Sequence, residues 1–332
     1  MSEKVRAEIA DQPSWRFSEF LLRWETILIC MLAAVFFGDT FVSPYFLDVY
    51  NLSDATSNFS EKAIIAMGMA LLILAREIDL SVAAIIAVSS LAMGLASQAG
   101  AGPPSLVLIG LAVGAACGSF NGFLVARIGL PSIVVTIGTM SLFRGIAQVV
   151  LGDQAITNYP AGFQALGQDY FTKWPPLHYS FCLFLIIAIV FALVLHRTVL
   201  GRRLYAIGNN PIAARFSGIA VDRIKFGLFV LSGALSGLAA VLLTARIGST
   251  RPNIALGWEL EVITMVILGG VSIAGGSGTI PGVIIAVFVL GLVTFGLSLI
   301  NVPGIVISVI LGFLLIASIT LPILTRKIMA MR

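Results

Sequence analysis

Charged side chains are scarce in this chain of 332 residues, at 11% of the composition, and histidine occurs only twice. Soluble domains carry about 25% charged residues. The chain is instead 58% hydrophobic, with a mean hydropathy of +1.03. This composition cannot cover a water-facing surface, so the sequence predicts an all-α, polytopic membrane protein. The net charge of +4 then bears on the orientation of loops and is no sign of nucleic-acid binding.

Residues for metal, disulfide or hydrolytic chemistry are missing as well. The cysteines Cys30, Cys117 and Cys182 lie in apolar runs without a CxxC pair, which predicts small buried side chains and excludes a zinc site or a disulfide framework. No glycine-rich loop ends in GK[ST], so ATP binding by a P-loop is excluded. HExxH and GxSxG are also absent. We therefore expect no enzyme activity, no metal and no cofactor.

Long apolar runs fill most of the chain. A spanning helix needs roughly 20 apolar residues, and about ten runs approach that length. The candidate spans are 26–46, 61–76, 79–99, 105–126, 132–152, 178–196, 224–245, 258–274, 279–298 and 301–321. Several are rich in glycine, alanine and serine, as in residues 108–126. Small residues let membrane helices approach closely, so this composition predicts a compact bundle.

Lysine and arginine concentrate in alternate loops, which predicts that both termini are cytoplasmic. The predicted outer segments, 43–62 and 153–177, are poor in them, and only Arg246 and Arg251 fall on the unexpected side. Segment 153–177 is expected to be an interfacial loop too short to form a domain. The predicted organisation is a cytoplasmic tail over 1–25, a membrane domain over 26–321 and a basic cytoplasmic tail over 322–332.

The N-terminal tail contains an amphipathic pattern. From Ser14 to Glu25, apolar and aromatic residues recur at helical spacing opposite charged ones. This pattern favours a helix lying in the membrane interface, with tryptophans at headgroup depth. An ordinary polar tail is the alternative.

Two segments interrupt the apolar pattern abruptly, REIDLSV at 76–82 and LGGVSIAGGSGTIPG at 268–282. Non-helical backbone at membrane depth is tolerated only where it is buried in protein or lines a watery cavity. Glu77 and Asp79 would be costly there unless they are solvated or paired. The alternative is that both segments are tight cytoplasmic turns, with Asp79 capping the third helix and Pro281 starting the ninth.

A few polar residues stand on otherwise apolar helices. Arg144 lies near the middle of the fifth span, and an arginine there should face the bundle interior or a polar path. A structural salt bridge or snorkelling is the alternative. The residues predicted to border a translocation path are Glu77, Asp79, Ser81, Asn121, Thr136, Thr139 and Arg144. Singly, the hydroxyl and amide groups are also typical of interhelical hydrogen bonds.

The longest polar break in the second half of the chain is strongly basic. Between Arg197 and Lys225 it holds six cationic residues and Asp222 as the single acid. Within it, Asn210 is a good N-cap, Pro211 suits the first helical position and Gly218 can end the helix in a left-handed conformation. About two helical turns lie between them. Isolated helices below roughly 12 residues are marginal in water, so this one predicts a docking partner.

These segments together resemble the permease subunit of bacterial ABC sugar importers, in the branch that serves ribose, xylose, rhamnose and autoinducer-2. The resemblance rests on IDLSV (78–82), LPSIVVTIGTMSLFRG (130–145), GRRLYAIGNNPIAARFSGI (201–219) and ILGGVSIAGGSGTIPG (267–282), and it extends over about 26–321. It implies a bacterial inner-membrane location. It also implies a cytoplasmic ABC ATPase, a second permease copy or paralogue, a periplasmic sugar-binding protein and a monosaccharide substrate.

The resemblance further implies that the loop 197–223 contains a coupling helix seated in a groove of the ATPase. The residues expected to couple to the ATPase are Arg202, Arg203, Asn209, Asn210, Pro211, Ala213, Ala214, Arg215 and Gly218. The chain departs from the family at Arg76, Glu77 and Ala83, where relatives commonly carry glycines around IDLSV.

Three alternatives remain on the sequence alone. An ABC permease for branched-chain amino acids shares the general permease type. A stand-alone secondary carrier or channel would work without ATP, but such carriers usually show intramembrane acids or unwound ion-binding helices. A membrane scaffold would tolerate substitution of Arg144 and Asp79.

Overall fold

A computed structural model describes residues 24–330, with the side chains of 24–317 and 320. The described residues are mostly helical, and they also contain one short antiparallel hairpin. The helices are α1 (Trp24–Val42), α2 (Val49–Leu74), α3 (Val82–Gln98), α4 (Pro103–Gly122), α5 (Ser132–Leu151), α6 (Ala161–Gln168), α7 (Tyr179–Arg197), α8 (Val199–Asn209), α9 (Pro211–Phe216), α10 (Val221–Ile247), α11 (Trp258–Leu268), α12 (Ile280–Leu299) and α13 (Gly304–Ala330). The α4 helix continues as a π-helical turn over Phe123–Ile128. The hairpin strands are β1 (Tyr170–Lys173) and β2 (Pro176–His178).

Within residues 24–330, seven helices are long and apolar enough to cross a membrane, namely α1, α2, α4, α5, α7, α10 and α12. Shorter apolar helices lie at Val82–Gln98 and Gly304–Ala317. The chain is therefore a multi-pass helical membrane protein. Each of the ten predicted spans overlaps a helix, but the eighth ends at Leu268 and not at residue 274. The count of ten spans stays a prediction.

The predicted outer segment 43–62 is wrong as a loop. Helix α2 already begins at Val49, where the Asp48 carboxylate accepts hydrogen bonds from Tyr50 N at 2.9 Å and Asn51 N at 3.1 Å. The first half of this helix is polar, so it does not form an apolar run and hydropathy does not predict it. Glu61 is fully buried and binds Arg246 Nε at 2.7 Å, which also accounts for the unexpected place of that arginine.

Close contact between α4 and α10 forms the centre of the bundle. Gly114 faces the backbone of α10 so tightly that an added Cβ would meet the Gly233 carbonyl oxygen and lie 2.7 Å from Gly237 Cα. Reciprocally, a Cβ on Gly233 would lie 2.7 Å from Gly118 Cα. The glycine-rich run thus brings two backbones into contact, and the predicted compact bundle is confirmed.

The two ends of the bundle differ. We call the end that carries residues 198–220 the loop end and the end that carries 152–178 the hairpin end. At the hairpin end, α6 and the hairpin form a small cover that the sequence pattern did not predict. Ile156 pairs with Thr250 through backbone hydrogen bonds of 2.8 and 3.1 Å, and the Tyr159 hydroxyl lies 2.6 Å from Thr250 Oγ1.

Several predictions concern the terminal segments and cysteines. The predicted amphipathic helix at Ser14–Glu25 lies outside the described residues, except that Trp24 and Glu25 begin α1. Trp24 Nε1 donates to Leu268 O at 2.8 Å, which fixes α1 to the end of α11. Helix α13 extends to Ala330, through most of the predicted tail 322–332.

The cysteines differ in burial. Cys117 is buried as expected, whereas Cys30 is exposed on α1, so the expectation that all three cysteines are buried is wrong.

Candidate functional site

The short helix α9 projects from the loop end of the bundle. Asn210 Oδ1 accepts from Ile212 N and Ala213 N at 3.0 Å each, the capping expected from the sequence. Gly218 adopts φ 81° just beyond the helix, and its N–H donates to Arg215 O at 2.9 Å. The predicted start and end of the helix are confirmed, and the helix itself spans six residues, Pro211–Phe216.

One face of α9 packs on the protein and the other is free. Ala214 is 4% exposed, whereas Ile212 is 68% and Phe216 is 90% exposed. Ala213 and Arg215 are exposed too, and Arg215 forms an ion pair with Asp222 in the first turn of α10. Ala214 therefore belongs to the inner face, and Ile212 and Phe216 form the outward apolar surface.

Helix α8 fixes the position of α9. Its Leu204 and Ile207 are buried, while Arg202 and Arg203 point away and are exposed. Asn210 is the C-cap of α8 and the N-cap of α9, so one capping residue joins the two helices. Gly208 touches the bundle so closely that an added Cβ would collide with Leu74 O and Gly276 N. A displacement of α9 would therefore act directly on this contact.

Both breaks seen in the sequence meet α8 at this point, in a cluster that we call the joint: residues 74–76, 205–209 and 275–278. Gly276 N donates to Leu74 O at 3.0 Å, and Asn209 Nδ2 donates to Gly276 O at 3.3 Å. The Tyr205 hydroxyl donates to Gly278 O at 2.7 Å. Burial raises the pKa of Tyr205 above its usual range, so the hydroxyl keeps the proton that it donates.

Arg76 contributes the charged part of the joint. Its Nε donates to Gly208 O at 2.6 Å and its Nη2 to Asn209 O at 2.9 Å. These carbonyls belong to the last turn of α8, which has no partners for them within the helix and carries partial negative charge. Arg76 has φ 65°, a left-handed conformation that costs a non-glycine residue on the order of 1–3 kcal/mol. The sequence marks Arg76 as a departure from relatives but predicts no role for it.

The segment 75–81 runs from the joint into the middle of the bundle. Asp79 is fully buried, and its carboxylate accepts from Ser81 N at 3.0 Å, Ser81 Oγ at 2.6 Å and Ser232 Oγ at 3.0 Å. Ser232 lies eleven residues into α10, about 16 Å from its start at 1.5 Å per residue. The break therefore reaches into the bundle and is buried in protein, which agrees with the first of the two expectations for it.

The polar residues predicted for the path mostly cluster around this break. Asn121 Nδ2 donates to Ser81 Oγ at 2.8 Å, and Thr136 Oγ1 donates to Ile78 O at 3.4 Å and Ser132 O at 2.8 Å. The Asn121 Oδ1 atom has no hydrogen-bond partner among the described residues. Thr139 is one turn farther along α5 and is also buried. All of these side chains are enclosed by protein in this arrangement, so their role in a path stays a prediction.

Glu77 and Arg144 lie on either side of that cluster. Glu77 forms an ion pair with Lys225 of α10, a partner that the sequence does not predict. Arg144 donates to Pro252 O at 2.9 Å, Ile254 O at 2.7 Å and Ala83 O at 3.1 Å. It thus faces the bundle interior as expected, and holds the segment between α10 and α11 against the start of α3 by backbone carbonyls.

Asp79 does not cap α3 in the strict sense. The residue at the N-cap position is Ser81, whose side chain makes no capping hydrogen bond. Asp79 instead binds the N–H of Ser81 two residues on, which stabilises a turn. Ser232, which completes this site, was missed because a single serine on an apolar helix gives no pattern that distinguishes it.

Comparison with known proteins identifies the family. The family model described as "Branched-chain amino acid transport system / permease component" matches residues 51–319. The ribose import permease protein RbsC of Bacillus subtilis (strain 168) is 36% identical over 284 residues, covering 84% of this chain and 87% of that protein. The D-allose transport system permease protein AlsC of Escherichia coli (strain K12) is 33% identical over 327 residues, which is 98% of each chain.

A third relative is the autoinducer 2 import system permease protein LsrD of Escherichia coli (strain K12), 34% identical over 299 residues, 89% of this chain and 91% of that protein. No solved structure matches the chain. The family match covers most of the membrane helices, the joint and α9. The chain therefore belongs to the permease family of branched-chain amino acid transport systems, as a multi-pass transport subunit.

Proposed function

We propose that this chain is the transmembrane subunit of an ATP-binding-cassette importer, and that it carries a monosaccharide across the bacterial inner membrane. The observation that carries the proposal is the outward apolar face of α9, with Phe216 90% and Ile212 68% exposed on a helix whose opposite face is packed. Exposed apolar side chains at a site with fixed geometry favour a protein contact. The occupant is the cytoplasmic ATPase subunit.

In this proposal the loop end faces the cytoplasm and the hairpin end faces the periplasm, with ten spans and both termini inside. The exposed Arg202, Arg203 and Arg215 beside α9 support this orientation, because positive charge concentrates in cytoplasmic loops. A periplasmic binding protein delivers the sugar at the hairpin end. A second permease copy or paralogue completes the path, which the cluster around Asp79 borders.

A sugar is favoured because three relatives along most of the chain are named for ribose, allose and autoinducer 2. The description of the matching family names branched-chain amino acids, so that substrate is the second candidate. Hydrolysis of ATP belongs to the partner, since no P-loop occurs in the chain.

The test is reconstitution into liposomes with its partner ATPase and binding protein, followed by uptake of labelled ribose, allose, autoinducer 2, leucine and valine. We expect ATP-dependent uptake of one of the sugars. Uptake without ATP and partners, or uptake of an amino acid in place of a sugar, would contradict the proposal.

Two variants matched in exposure test the docking face. Phe216→Ala should reduce co-purification of the ATPase at least tenfold, whereas Phe41→Ala, which truncates an equally exposed phenylalanine on α1, should leave it unchanged. Ala214→Glu is a poor probe because Ala214 is buried, and its effect would report packing. Full retention of the ATPase by Phe216→Ala together with Ile212→Ala would refute α9 as the docking site.

A further inference from the structure

We propose that Arg76 is the positioning residue that transmits the movement of α9 to the buried break at 75–81, so that hydrolysis in the partner is coupled to opening of the path. This inference rests on the proposed function. It concerns a residue outside the docking face and outside the cluster around Asp79.

The backbone conformation at Arg76 is unusual for a residue with a side chain. With φ 65° the position suits glycine, which adopts this conformation without a steric cost. Neighbouring Gly275 and Gly276 have φ 80° and 73°, so the joint is built from left-handed positions, and Arg76 alone among these three carries a side chain. An observed outlier of this kind points to a functional constraint. The constraint here is the pair of hydrogen bonds that the guanidinium makes.

Those hydrogen bonds hold the base of α9. The two acceptors, Gly208 O and Asn209 O, immediately precede Asn210, which caps α9 through its own side chain. A guanidinium is planar and presents several donors in a fixed fork, so it binds two adjacent carbonyls in one orientation. Movement of α9 with a docked ATPase must therefore either carry Arg76 along or break both bonds.

The residues that follow Arg76 in the chain run into the middle of the bundle. Glu77, the next residue, forms an ion pair with Lys225 on α10, and Ile78 N donates to Ser132 Oγ on α5 at 3.4 Å. Asp79 follows, bonded to Ser232 about 16 Å along α10. Three consecutive residues after Arg76 thus contact α5 and α10. A pull on Arg76 is passed along a short non-helical segment to both helices.

The remaining contacts of the joint join different segments. Gly276 N to Leu74 O and Tyr205 Oη to Gly278 O link α2 and α8 to the turn before α12. Among the hydrogen bonds of the described residues, those from Arg76 are the ones that connect the break segment 75–81 to α8. Removing the guanidinium should therefore uncouple the two without disturbing the seat of α8.

The experiment uses the complete transporter in liposomes, with sugar uptake and ATP hydrolysis measured on the same sample. Arg76→Gly removes the guanidinium and relieves the backbone. We expect the complex to assemble and to hydrolyse ATP within about threefold of the wild-type rate, while sugar carried per ATP falls at least tenfold. Arg76→Lys, which keeps one donor group, should recover part of that ratio. Arg127→Ala, which removes an exposed arginine at the same end, should leave the ratio unchanged.

Hydrogen exchange gives a readout that a purely structural role would not change. A non-hydrolysable ATP analogue should alter exchange of amides 75–81 in the assembled wild-type complex and leave them unaltered in Arg76→Gly. An unchanged ratio of sugar to ATP in Arg76→Gly would overturn the inference, as would loss of the ATPase from the complex, which would assign Arg76 to docking. If Arg76→Gly does not insert, an unchanged ratio in Arg76→Lys and Arg76→Gln overturns it equally.

The proposed function fails separately from this inference. Retention of the ATPase by the combined Ile212→Ala and Phe216→Ala variant refutes docking on α9 whatever the behaviour of Arg76. A normal docking result with an unchanged ratio in Arg76→Gly refutes the inference alone.

Discussion

The hairpin end and the loop end of the bundle are held together by different kinds of contact. At the hairpin end, charged side chains pair with each other inside the protein: Arg246 binds Glu61 at 2.7 Å and Asn58 at 2.7 Å, and Lys62 pairs with Glu261 and lies 4.9 Å from the centre of the Trp258 ring. At the loop end, the joint relies on backbone carbonyls, and its neighbour α9 leaves Ile212 and Phe216 exposed.

This difference separates stability from movement. A buried ion pair that loses one partner leaves an uncompensated charge, so substitutions at the hairpin end should cost folding free energy. Backbone acceptors remain satisfied by water when a donor is lost at an exposed site, so substitutions of Arg76 and of the exposed residues of α9 should cost little stability and affect transport. The Glu77–Lys225 ion pair near the same end is the exception, because Glu77 is buried. The predictions below test that separation, beginning with the largest loss of stability.

Arg246→Met should have the largest effect, about 3–5 kcal/mol of unfolding free energy, because Glu61 is fully buried and would lose its cationic partner. Thermal unfolding in detergent measures it. The double variant Glu61→Met with Arg246→Met should recover most of the loss, since it leaves no unpaired carboxylate. A single variant as stable as the wild type would abolish the contrast between the two ends.

Arg144→Met should come second, at about 2–3 kcal/mol, because three carbonyl groups lose a charged donor. Arg144→Lys should lose less, since an ammonium group can still reach some of these acceptors. The same unfolding assay, with Arg127→Met as an exposed control, measures both. Equal stability of Arg144→Met and the control would show that the segment 249–257 is held by other contacts.

Asn210→Ala should destabilise by about 1 kcal/mol, the usual cost of losing an N-cap. We expect the loss to appear as faster hydrogen exchange in α9 and not as a lower unfolding temperature of the bundle, because α9 is a peripheral helix of six residues. Asn210→Asp, which keeps a capping oxygen, should exchange as slowly as the wild type. Hydrogen exchange in α9 of Asn210→Ala that is slower than in the wild type, or a large drop in the unfolding temperature of this variant, would contradict the expectation.

Phe216→Ala should change stability by less than about 0.5 kcal/mol, as an exposed side chain normally does. This variant separates stability from function most clearly, because it should lose the ATPase while its free energy of unfolding stays nearly unchanged. A loss of stability comparable to that of Arg246→Met would mean that Phe216 packs within the bundle and would remove the argument for a docking face.

Local patterns predicted the parts of the fold that depend on neighbouring residues. The caps of α9 at Asn210 and Gly218 follow from short-range chemistry, and the positions of the apolar helices follow from hydropathy. The start of α2 at Val49 did not, because its polar residues are buried by partners such as Arg246, which lies 185 residues away from Glu61. Distance along the chain hid these pairs.

The candidate site shows the same limit. The sequence singled out both breaks and the basic loop, but nothing in their spacing brings them together at the joint. Asp79 and Asn121 were identified as polar residues on apolar segments, whereas Ser232, which binds Asp79, has no local signal. Lys225 was counted in the basic loop, but its pairing with Glu77 could not be predicted from the sequence. Helical spacing alone puts Ile212 and Phe216 opposite Ala214, but only the structure shows that the side of Ala214 packs on the bundle and the other side is exposed.

The contact of α4 with α10 also limits how the protein can change shape. Gly114, Gly118, Gly233 and Gly237 place one backbone against the other, so a shift that brought a side chain into this contact would cause a steric collision. We therefore expect α4 and α10 to tilt together. A displacement at the loop end would then be carried along this helix pair toward the hairpin end.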